Sequence, residues 1–226
     1  MPVTVDEIKT HLRIEHNDED GYLSALLSAA RATAEDFCRR SFAEEMPEPV
    51  RLAIDGPCGS GKTTLAALLA RLYDCPVFHA DDFFLRPEQR TPARFAAPGG
   101  NLDRERLLEE VLAPLRRGQP VSFRRFDCHS LTLLPPVAVA PSSLAVVEGS
   151  YSLHPALAPM YDLSVCLTLS PELQRRRILA RNGEAMARRF FERWIPLEQV
   201  YFDATRPQAR CDFLIEADQL SDEAPL

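Results

Sequence analysis

Residues 50–73 read VRLAIDGPCGSGKTTLAALLARLY, and this stretch decides the fold. Its first six residues form an apolar strand pattern, and Gly56 to Thr63 satisfy the spacing G-x-x-x-x-G-K-[ST]. A helical pattern follows, as a phosphate-binding loop requires. The alternative, a glycine-rich turn with a surface lysine, does not account for the elements on both sides. The sequence therefore predicts an α/β fold of the P-loop NTPase type, with three layers (α/β/α) around a parallel sheet of about five strands.

Glycines in such a loop allow successive backbone N–H groups to turn towards a phosphate, and the helix N-terminus adds partial positive charge. Lys62 is expected to reach the terminal phosphates, and Thr63 is expected to offer its hydroxyl to Mg²⁺. The predicted cofactors are therefore ATP and Mg²⁺. Cys58, close to those N–H donors and to Lys62, is expected to favour its thiolate form. The residues predicted to bind the nucleotide are Gly56, Cys58, Gly59, Ser60, Gly61, Lys62, Thr63 and Thr64.

The composition narrows the class of protein. The 226 residues include 33 acidic and 26 basic ones, a net charge of −7, which disfavours a nucleic-acid partner or an anionic membrane. No run approaches the roughly 18 apolar residues of a membrane span, and the first residues lack the regions of a signal peptide. The six cysteines form no CxxC pair, so neither a disulfide framework nor a zinc site is indicated. A cytoplasmic protein is expected.

After the loop, short apolar segments alternate with helical ones, which is typical of βαβ units. Strands are predicted at 50–55, 76–80, 144–148, 163–169 and 212–215. Helices are predicted at 62–73, 104–117, 171–182 and 184–193, the last of them ending ahead of Pro196. The predicted organisation is a helical appendage at 1–43, a linker at 44–49, a P-loop domain at 50–218 and a C-terminal tail at 219–226.

Carboxylates follow two of the predicted strands. The segment HADDFF places Asp81 and Asp82 at the carboxyl end of a strand, where open α/β sheets build their sites. An aspartate within hydrogen-bond reach of an alcohol can take its proton during phosphoryl transfer, although one or both could instead cap the next segment. The strand at 144–148 ends at Glu148, which is placed either to contact Mg²⁺ or simply to face solvent.

Seven arginines lie within residues 175–193. Arg177 and Arg181 share a helical face, and Asn182 and Gly183 interrupt the helix after them. The segment could close over a triphosphate and neutralise transition-state charge. A solvated helix face is the alternative.

The chain contains, in order, the motifs GPCGSGKTT, HADDFF, GGNLDRERL, RRFDCHS, VVEGSY, RRRILARNG and CDFLIE. Together they resemble the uridine kinase-like branch of the P-loop phosphotransferases over about residues 50–216. The resemblance implies that Asp81 is the base acting on the substrate hydroxyl and that Asp103 holds ribose hydroxyls. The implied catalytic residues are Asp81, Lys62, Arg177 and Arg181. The implied acceptor contacts are Asp81, Phe84, Asp103, Phe126, His129 and Glu148, and the implied metal ligands are Thr63 and Glu148. Phe84 and Phe126 lack the hydroxyl that nucleoside kinases often have there.

The first 42 residues resemble a different family. The stretch VTVDEIKTHLRIEHNDEDGYLSALLSAARATAEDF is similar to the opening helices of gp6-like phage head-tail connector proteins. Only the first part of such a domain is represented. The resemblance implies either a fused remnant or a helical docking element, which could contact a second copy of the chain or another partner.

The favoured prediction is an ATP-dependent kinase that transfers the γ-phosphoryl group to the 5′-hydroxyl of uridine or cytidine. Another metabolite alcohol, such as pantothenate or a sugar phosphate, is an alternative acceptor. A third possibility is a nucleotide-dependent switch or phage assembly factor without a small acceptor. Asp81, Asp103 and the arginine segment argue against that third reading, because a switch needs no second pocket.

Overall fold

The computed structural model describes residues 49–218, which form a parallel sheet, its covering helices and a separate hairpin. The strands are β1 Val50–Asp55, β2 Val77–His79, β3 Val121–Asp127, β4 Thr132–Val139, β5 Leu144–Glu148, β6 Leu163–Thr168 and β7 Phe213–Glu216. The sheet has the order β2-β5-β1-β6-β7 and its pairs are parallel, whereas β3 and β4 pair with each other as an antiparallel hairpin. The predicted fold class and sheet strands are confirmed, the strand ends to within one residue.

Six α-helices lie within the described range. They are α1 Lys62–Tyr73, α2 Pro92–Ala96, α3 Arg104–Leu107, α4 Ala113–Arg116, α5 Pro171–Arg189 and α6 Ile195–Thr205. A π-helical turn, Leu108–Leu112, joins α3 to α4, and a second one, Phe190–Trp194, joins α5 to α6. Short 3₁₀ turns lie at Ala80–Phe83, Pro87–Gln89, Ala158–Met160 and Pro207–Ala209.

The arginine-rich helix differs from its prediction at one end. The predicted interruption is confirmed, because Gly183 has non-helical angles (φ 69°, ψ 167°) inside α5. The predicted end ahead of Pro196 is wrong, because Pro196 is the second residue of α6. A proline lacks the N–H that a helix interior needs, but the first turn of a helix does not use that donor. The wide π turn just before Pro196 makes its position equivalent to a helix start.

Both faces of the sheet are covered. All six residues of β1 are buried, as expected for a central parallel strand. On one face, Leu52 and Ile54 pack with apolar residues of α1. On the other, Ala145 and Val147 of β5 pack with apolar residues of α3, the π turn after it and α4. Because neighbouring strand residues point to opposite faces, these two clusters produce the predicted three layers.

The hairpin of β3 and β4 was absent from the predicted elements. Phe123 on β3 packs against Phe78 and Phe83, with ring centroids 5.5 Å and 5.7 Å apart. Strand β4 contains Pro135 and Pro136, and proline within an apolar run argues against a central strand. The segment is tolerated as a strand because β4 pairs with β3 alone.

The predicted appendage at 1–43, residues 44–48 of the predicted linker and the predicted tail at 219–226 lie outside the described residues. No helix within residues 49–218 is both long enough and apolar enough to cross a membrane.

Candidate active site

The phosphate loop connects β1 to α1 and depends on glycine for its backbone path. Gly56 has φ 148° and Gly61, which precedes α1, has φ 98°, a region that other residues rarely adopt. A Cβ atom at Gly56 would lie 2.7 Å from the carbonyl oxygen of Leu167. The loop can therefore lie against β6 only with glycine at this position.

Asp55, the last residue of β1, accepts four hydrogen bonds and thereby holds the start of the loop in place. Its Oδ1 accepts hydrogen bonds from the amides of Gly56 (2.6 Å) and Tyr151 (3.2 Å). Its Oδ2 accepts from the Leu153 amide (2.8 Å) and the Tyr201 hydroxyl (2.6 Å). Complete burial raises the pKa of Asp55, and these hydrogen bonds oppose that effect. The carboxylate thus joins the loop, the segment after β5 and helix α6, a role that the sequence analysis did not identify.

The two predicted metal ligands lie side by side. The Thr63 hydroxyl donates to Glu148, 3.2 Å from Oε1 and 3.3 Å from Oε2. His79 Nδ1 lies 2.5 Å from Glu148 Oε1, and this hydrogen bond raises the pKa of the imidazole. An alcohol and a carboxylate are hard oxygen ligands of the kind that Mg²⁺ prefers, and Mg²⁺ usually keeps several waters beside one or two protein oxygens. The residues present therefore fit this ion.

Lys62 is the first residue of α1 and is buried. Its Nζ donates a 2.9 Å hydrogen bond to the carbonyl oxygen of Pro57, so the ammonium group folds back over the loop. Its positive charge lowers the pKa of Asp55 and Asp81 and opposes the effect of their burial. Lys62 is thus placed beside both the loop and the predicted base.

Asp81 lies on the 3₁₀ turn that follows β2. Asp81 is accessible to solvent. The protein atoms around its carboxyl group nevertheless desolvate it and raise its pKa, and the charges of Glu148 and Glu198 raise the pKa further. The neighbouring Asp82 points towards Arg125, with Oδ2 4.0 Å from Nε. The carboxyl ends of β1, β2 and β5 therefore bring Lys62, Asp81 and Glu148 into one site.

Asp103 is almost completely buried at the N-terminus of α3. Its Oδ1 accepts from the Arg106 amide at 3.2 Å, and its own amide donates to the Phe83 carbonyl at 2.7 Å. Its Oδ2 accepts no hydrogen bond, although Nε of Arg86 and Nε of Arg106 lie 3.7 Å and 3.6 Å away. Buried carboxylate oxygens normally have a closer donor, and at these distances the two arginines provide ion pairs in its place.

Of the other predicted acceptor contacts, Phe84 and Phe126 pack within the protein, whereas His129 is exposed. Phe84 forms an isolated β-bridge with Leu102, next to Asp103, and Phe126 is buried with the Arg90 guanidinium 5.5 Å above its ring. His129 lies on the exposed tip of the hairpin, where its amide donates to Asp127 Oδ1 at 2.9 Å. Within residues 49–218, no side-chain contact joins His129 to the group around Asp81.

Helix α5 docks on the phosphate loop. Arg177 Nη1 donates to the Gly59 carbonyl at 3.2 Å, and Gln174 Nε2 donates to the Cys58 carbonyl at 2.9 Å. Arg181 is exposed, with its guanidinium 5.7 Å above the Phe190 ring, and its charge acts on the Cys58 thiol. Of the two predicted arginines, Arg177 therefore contacts the loop, and Arg181 acts on it through its charge. Gln174 escaped the sequence analysis because a single glutamine on a helix carries no distinctive pattern.

Cys58 does not have the predicted thiolate character. Burial and the adjacent Glu198 carboxylate raise the pKa of its thiol, and Lys62 and Arg181 offset only part of this. The prediction failed because it considered the loop's N–H donors and the nearby lysine, but not an acid contributed by α6. The effect of a neighbouring charge on a thiol depends on its sign, and here the carboxylate and burial dominate.

Two solved structures have the same arrangement of elements. One is a possible uridine kinase from Bacillus stearothermophilus, with a TM-score of 0.61, 23% identity, and coverage of 82% of this chain and 98% of that one. The other, from Silicibacter sp. TM1040, is assigned as a fructose transport system kinase, with a TM-score of 0.58, 24% identity, and coverage of 75% and 90% respectively. The chain therefore shares the α/β/α fold of these two proteins.

Residues 2–56 match the family model of the phage gp6-like head-tail connector proteins. This agrees with the resemblance seen in the first 42 residues and extends further along the chain. Its last residues include β1 and Gly56, which belong to the sheet and the phosphate loop. The connector-like segment and the P-loop fold therefore overlap in sequence at β1.

Proposed function

We propose that the protein is an ATP-dependent kinase that transfers the γ-phosphoryl group to a hydroxyl of a small molecule, the 5′-hydroxyl of uridine or cytidine being the favoured acceptor. The observation that carries this proposal is the convergence of Lys62, Thr63, Asp81 and Glu148 beside one glycine loop. Phosphoryl transfer to an alcohol needs an anion cradle, a cation and a base on the acceptor side. The two solved neighbours with this fold, both assigned as kinases, support it.

In this proposal Asp81 acts on the acceptor. Its carboxylate accepts the hydroxyl proton while that oxygen forms a bond to the γ-phosphorus and the bond to the bridging oxygen of ADP breaks. A raised pKa makes a carboxylate a better proton acceptor, and Asp81 has such a pKa. The loop amides, Lys62, Arg177 and Arg181 bind the phosphates and balance their charge. Thr63 and Glu148 would hold Mg²⁺, which supplies further charge neutralisation.

Oδ2 of Asp103, which has ion pairs but no close hydrogen bond, supports an acceptor with more than one hydroxyl. Asp103 lies next to the turn that contains Asp81, because its amide donates a hydrogen bond to the carbonyl of Phe83, the last residue of that turn. A ribose or another sugar could donate a hydroxyl to Oδ2 and satisfy it. Pairing this oxygen would favour a polyol over an acceptor that lacks the second hydroxyl.

A charged acceptor, such as a sugar phosphate or pantothenate, is the second candidate. Arg90 stacks over Phe126, and Arg86 approaches Asp103, so two cations lie beside predicted acceptor contacts. An anionic group on the acceptor would be attracted to them. This observation favours testing charged alcohols beside the nucleosides.

A screen for ADP release, with ATP and Mg²⁺ present, tests both candidates. The compounds are uridine, cytidine, fructose, a sugar phosphate and pantothenate, and mass spectrometry of the product checks that it has gained one phosphoryl group. Release that depends on uridine or cytidine supports the favoured acceptor, and release with another alcohol replaces it. Nucleotide binding without acceptor-dependent release would contradict the kinase proposal and favour a nucleotide-dependent switch.

A further inference from the structure

The carboxylate of Glu198 lies against the phosphate loop. Its Oε2 and Oε1 lie 3.0 Å and 3.2 Å from the donating amide of Cys58, and Oε1 accepts a second hydrogen bond from the Ser150 hydroxyl at 2.6 Å. Only 6% of the residue is exposed. The proposed phosphoryl transfer gives this residue no role. The loop thus has a protein carboxylate bound to one of its amides.

The groups that hold the Glu198 carboxylate carry no positive charge. A buried carboxylate costs free energy unless a cation or several donors compensate it. Within the described residues, the hydrogen-bond partners of Glu198 are the amide and thiol of Cys58 and the hydroxyl of Ser150, all of them neutral. Its charge reaches the loop and the acceptor side, since it affects both Cys58 and Asp81. An incoming phosphate would meet this charge at the loop.

We propose that Glu198 competes with the nucleotide for the Cys58 amide and thereby weakens the binding of the triphosphate. This inference rests on the proposed function, because it takes the loop as the nucleotide site. Amides of such a loop donate to phosphate oxygens, so an amide already bound to a carboxylate must exchange one anion for another. Two anions at one donor also repel each other. Nucleotide binding therefore requires Glu198 to leave the loop.

A purely structural role for Glu198 makes the opposite prediction. If the carboxylate only braced the loop, weakening it would loosen the nucleotide site and reduce affinity. Glutamine separates the two roles, because its amide oxygen can still accept from Cys58 and Ser150 while the negative charge is gone. A hydrogen bond to a charged acceptor is stronger than one to a neutral acceptor, so glutamine is the weaker competitor.

The test is isothermal titration calorimetry with ATP and Mg²⁺ and no acceptor, on the full chain, the Glu198→Gln variant and a control. The control, Asp203→Asn, removes one negative charge from the exposed side of the same helix. We expect Glu198→Gln to lower the dissociation constant for ATP by at least about tenfold, and Asp203→Asn to change it less than about twofold. Thermal unfolding of each free protein accompanies the titration.

A second variant keeps the inference testable if Glu198→Gln does not fold. Ser150→Ala removes one of the donors that hold Glu198, together with the contact of that hydroxyl with the Gly56 carbonyl, while the carboxylate and the Cys58 amide remain. We expect it to tighten ATP binding by about twofold to fivefold. Unchanged or weaker ATP binding by folded Glu198→Gln, or by Ser150→Ala in its place, would overturn the inference. If the unmodified protein does not bind ATP at all, the proposed function fails instead.

Discussion

The hydroxyl of Tyr201 donates a 2.6 Å hydrogen bond to Oδ2 of Asp55, although 146 positions separate the two residues. Both side chains are buried. Asp55 also accepts from the amide of Gly56, the first residue of the phosphate loop. This one carboxylate therefore connects helix α6, which follows the arginine-rich segment, to the start of the loop.

Replacing Tyr201 by phenylalanine tests how much this connection stabilises the fold. The ring contacts with Tyr151 and Phe202, both at 5.1 Å between centroids, remain in Tyr201→Phe, whereas the hydrogen bond to the buried carboxylate is lost. Hydrogen bonds to charged groups contribute about 1.5–3 kcal/mol, so we expect the free energy of unfolding to fall by about that amount. Urea unfolding followed by circular dichroism measures it.

Val200→Ala is the matched control for that measurement. Val200 is the preceding residue on α6 and is 46% exposed, so its truncation is expected to change the free energy of unfolding by less than about 0.5 kcal/mol. Equal stabilities of Tyr201→Phe and the unmodified protein would show that the contact between Tyr201 and Asp55 does not support the fold.

The sequence predicted the sheet well because its strands carry two independent signals. Strand β1 is apolar throughout and runs directly into the glycine loop, so its position and its ends were both determined. The hairpin was missed because the two prolines of β4, Pro135 and Pro136, argue against a strand. The segment can still form one because it pairs with β3 alone. Local pattern rules cannot anticipate such a tertiary context.

The residues of the candidate site could be predicted only where a sequence motif or a strand end indicated them. Asp81 and Glu148 lie at strand ends, and the glycine loop after β1 leads directly to Lys62 and Thr63, so the strand order brings the four residues together. Glu198 reaches the loop from a helix 140 positions further along the chain. Nothing in the local sequence around such a residue indicates which distant amide it meets. This also explains why the predicted thiolate at Cys58 was wrong.

We predict that Lys62→Ala abolishes phosphoryl transfer and leaves the fold intact. Within residues 49–218, Nζ has one hydrogen bond, to the Pro57 carbonyl, so the substitution removes the proposed phosphate contact and little packing. Steady-state kinetics with the acceptor found in the screen, together with thermal unfolding, measure the two effects. If the variant keeps more than about a tenth of kcat/KM, its barrier has risen by less than ~1.4 kcal/mol, and Lys62 has no part in the mechanism.

Asp81→Asn is expected to reduce kcat by roughly two to four orders of magnitude, because an amide cannot accept the hydroxyl proton. Calorimetry should show little change in ATP affinity. Asp82→Asn is the matched control and should have a much milder effect, since Asp82 faces Arg125. If Asp82→Asn proves to be the more damaging change, the base has been assigned one residue too early.

Alkylation of Cys58 is expected to be slow near neutral pH and to be blocked by bound ATP. Burial and Glu198 raise the pKa of this thiol, so the reactive thiolate is scarcer at any given pH than in an ordinary cysteine. The rate should therefore rise from pH 7 to pH 10 without levelling off. Peptide mapping by mass spectrometry separates Cys58 from the exposed Cys128, which serves as the control. Labelling of Cys58 at the same rate with saturating ATP would place it outside the nucleotide site.

The last prediction concerns a chain that starts at Glu48. It retains β1, which pairs with β5 on one side and β6 on the other, together with the loop and the acceptor-side carboxylates. We therefore expect it to fold and to keep kcat within about twofold, as for any change remote from the reacting groups. The removed part contains Leu23, Leu27 and Phe37, whose spacing in the sequence predicts an apolar helical stripe that needs a surface to cover it. Light scattering should consequently show a change in oligomeric state or solubility, whereas an unchanged assembly with lost catalysis would mean that the connector-like residues help to build the active site.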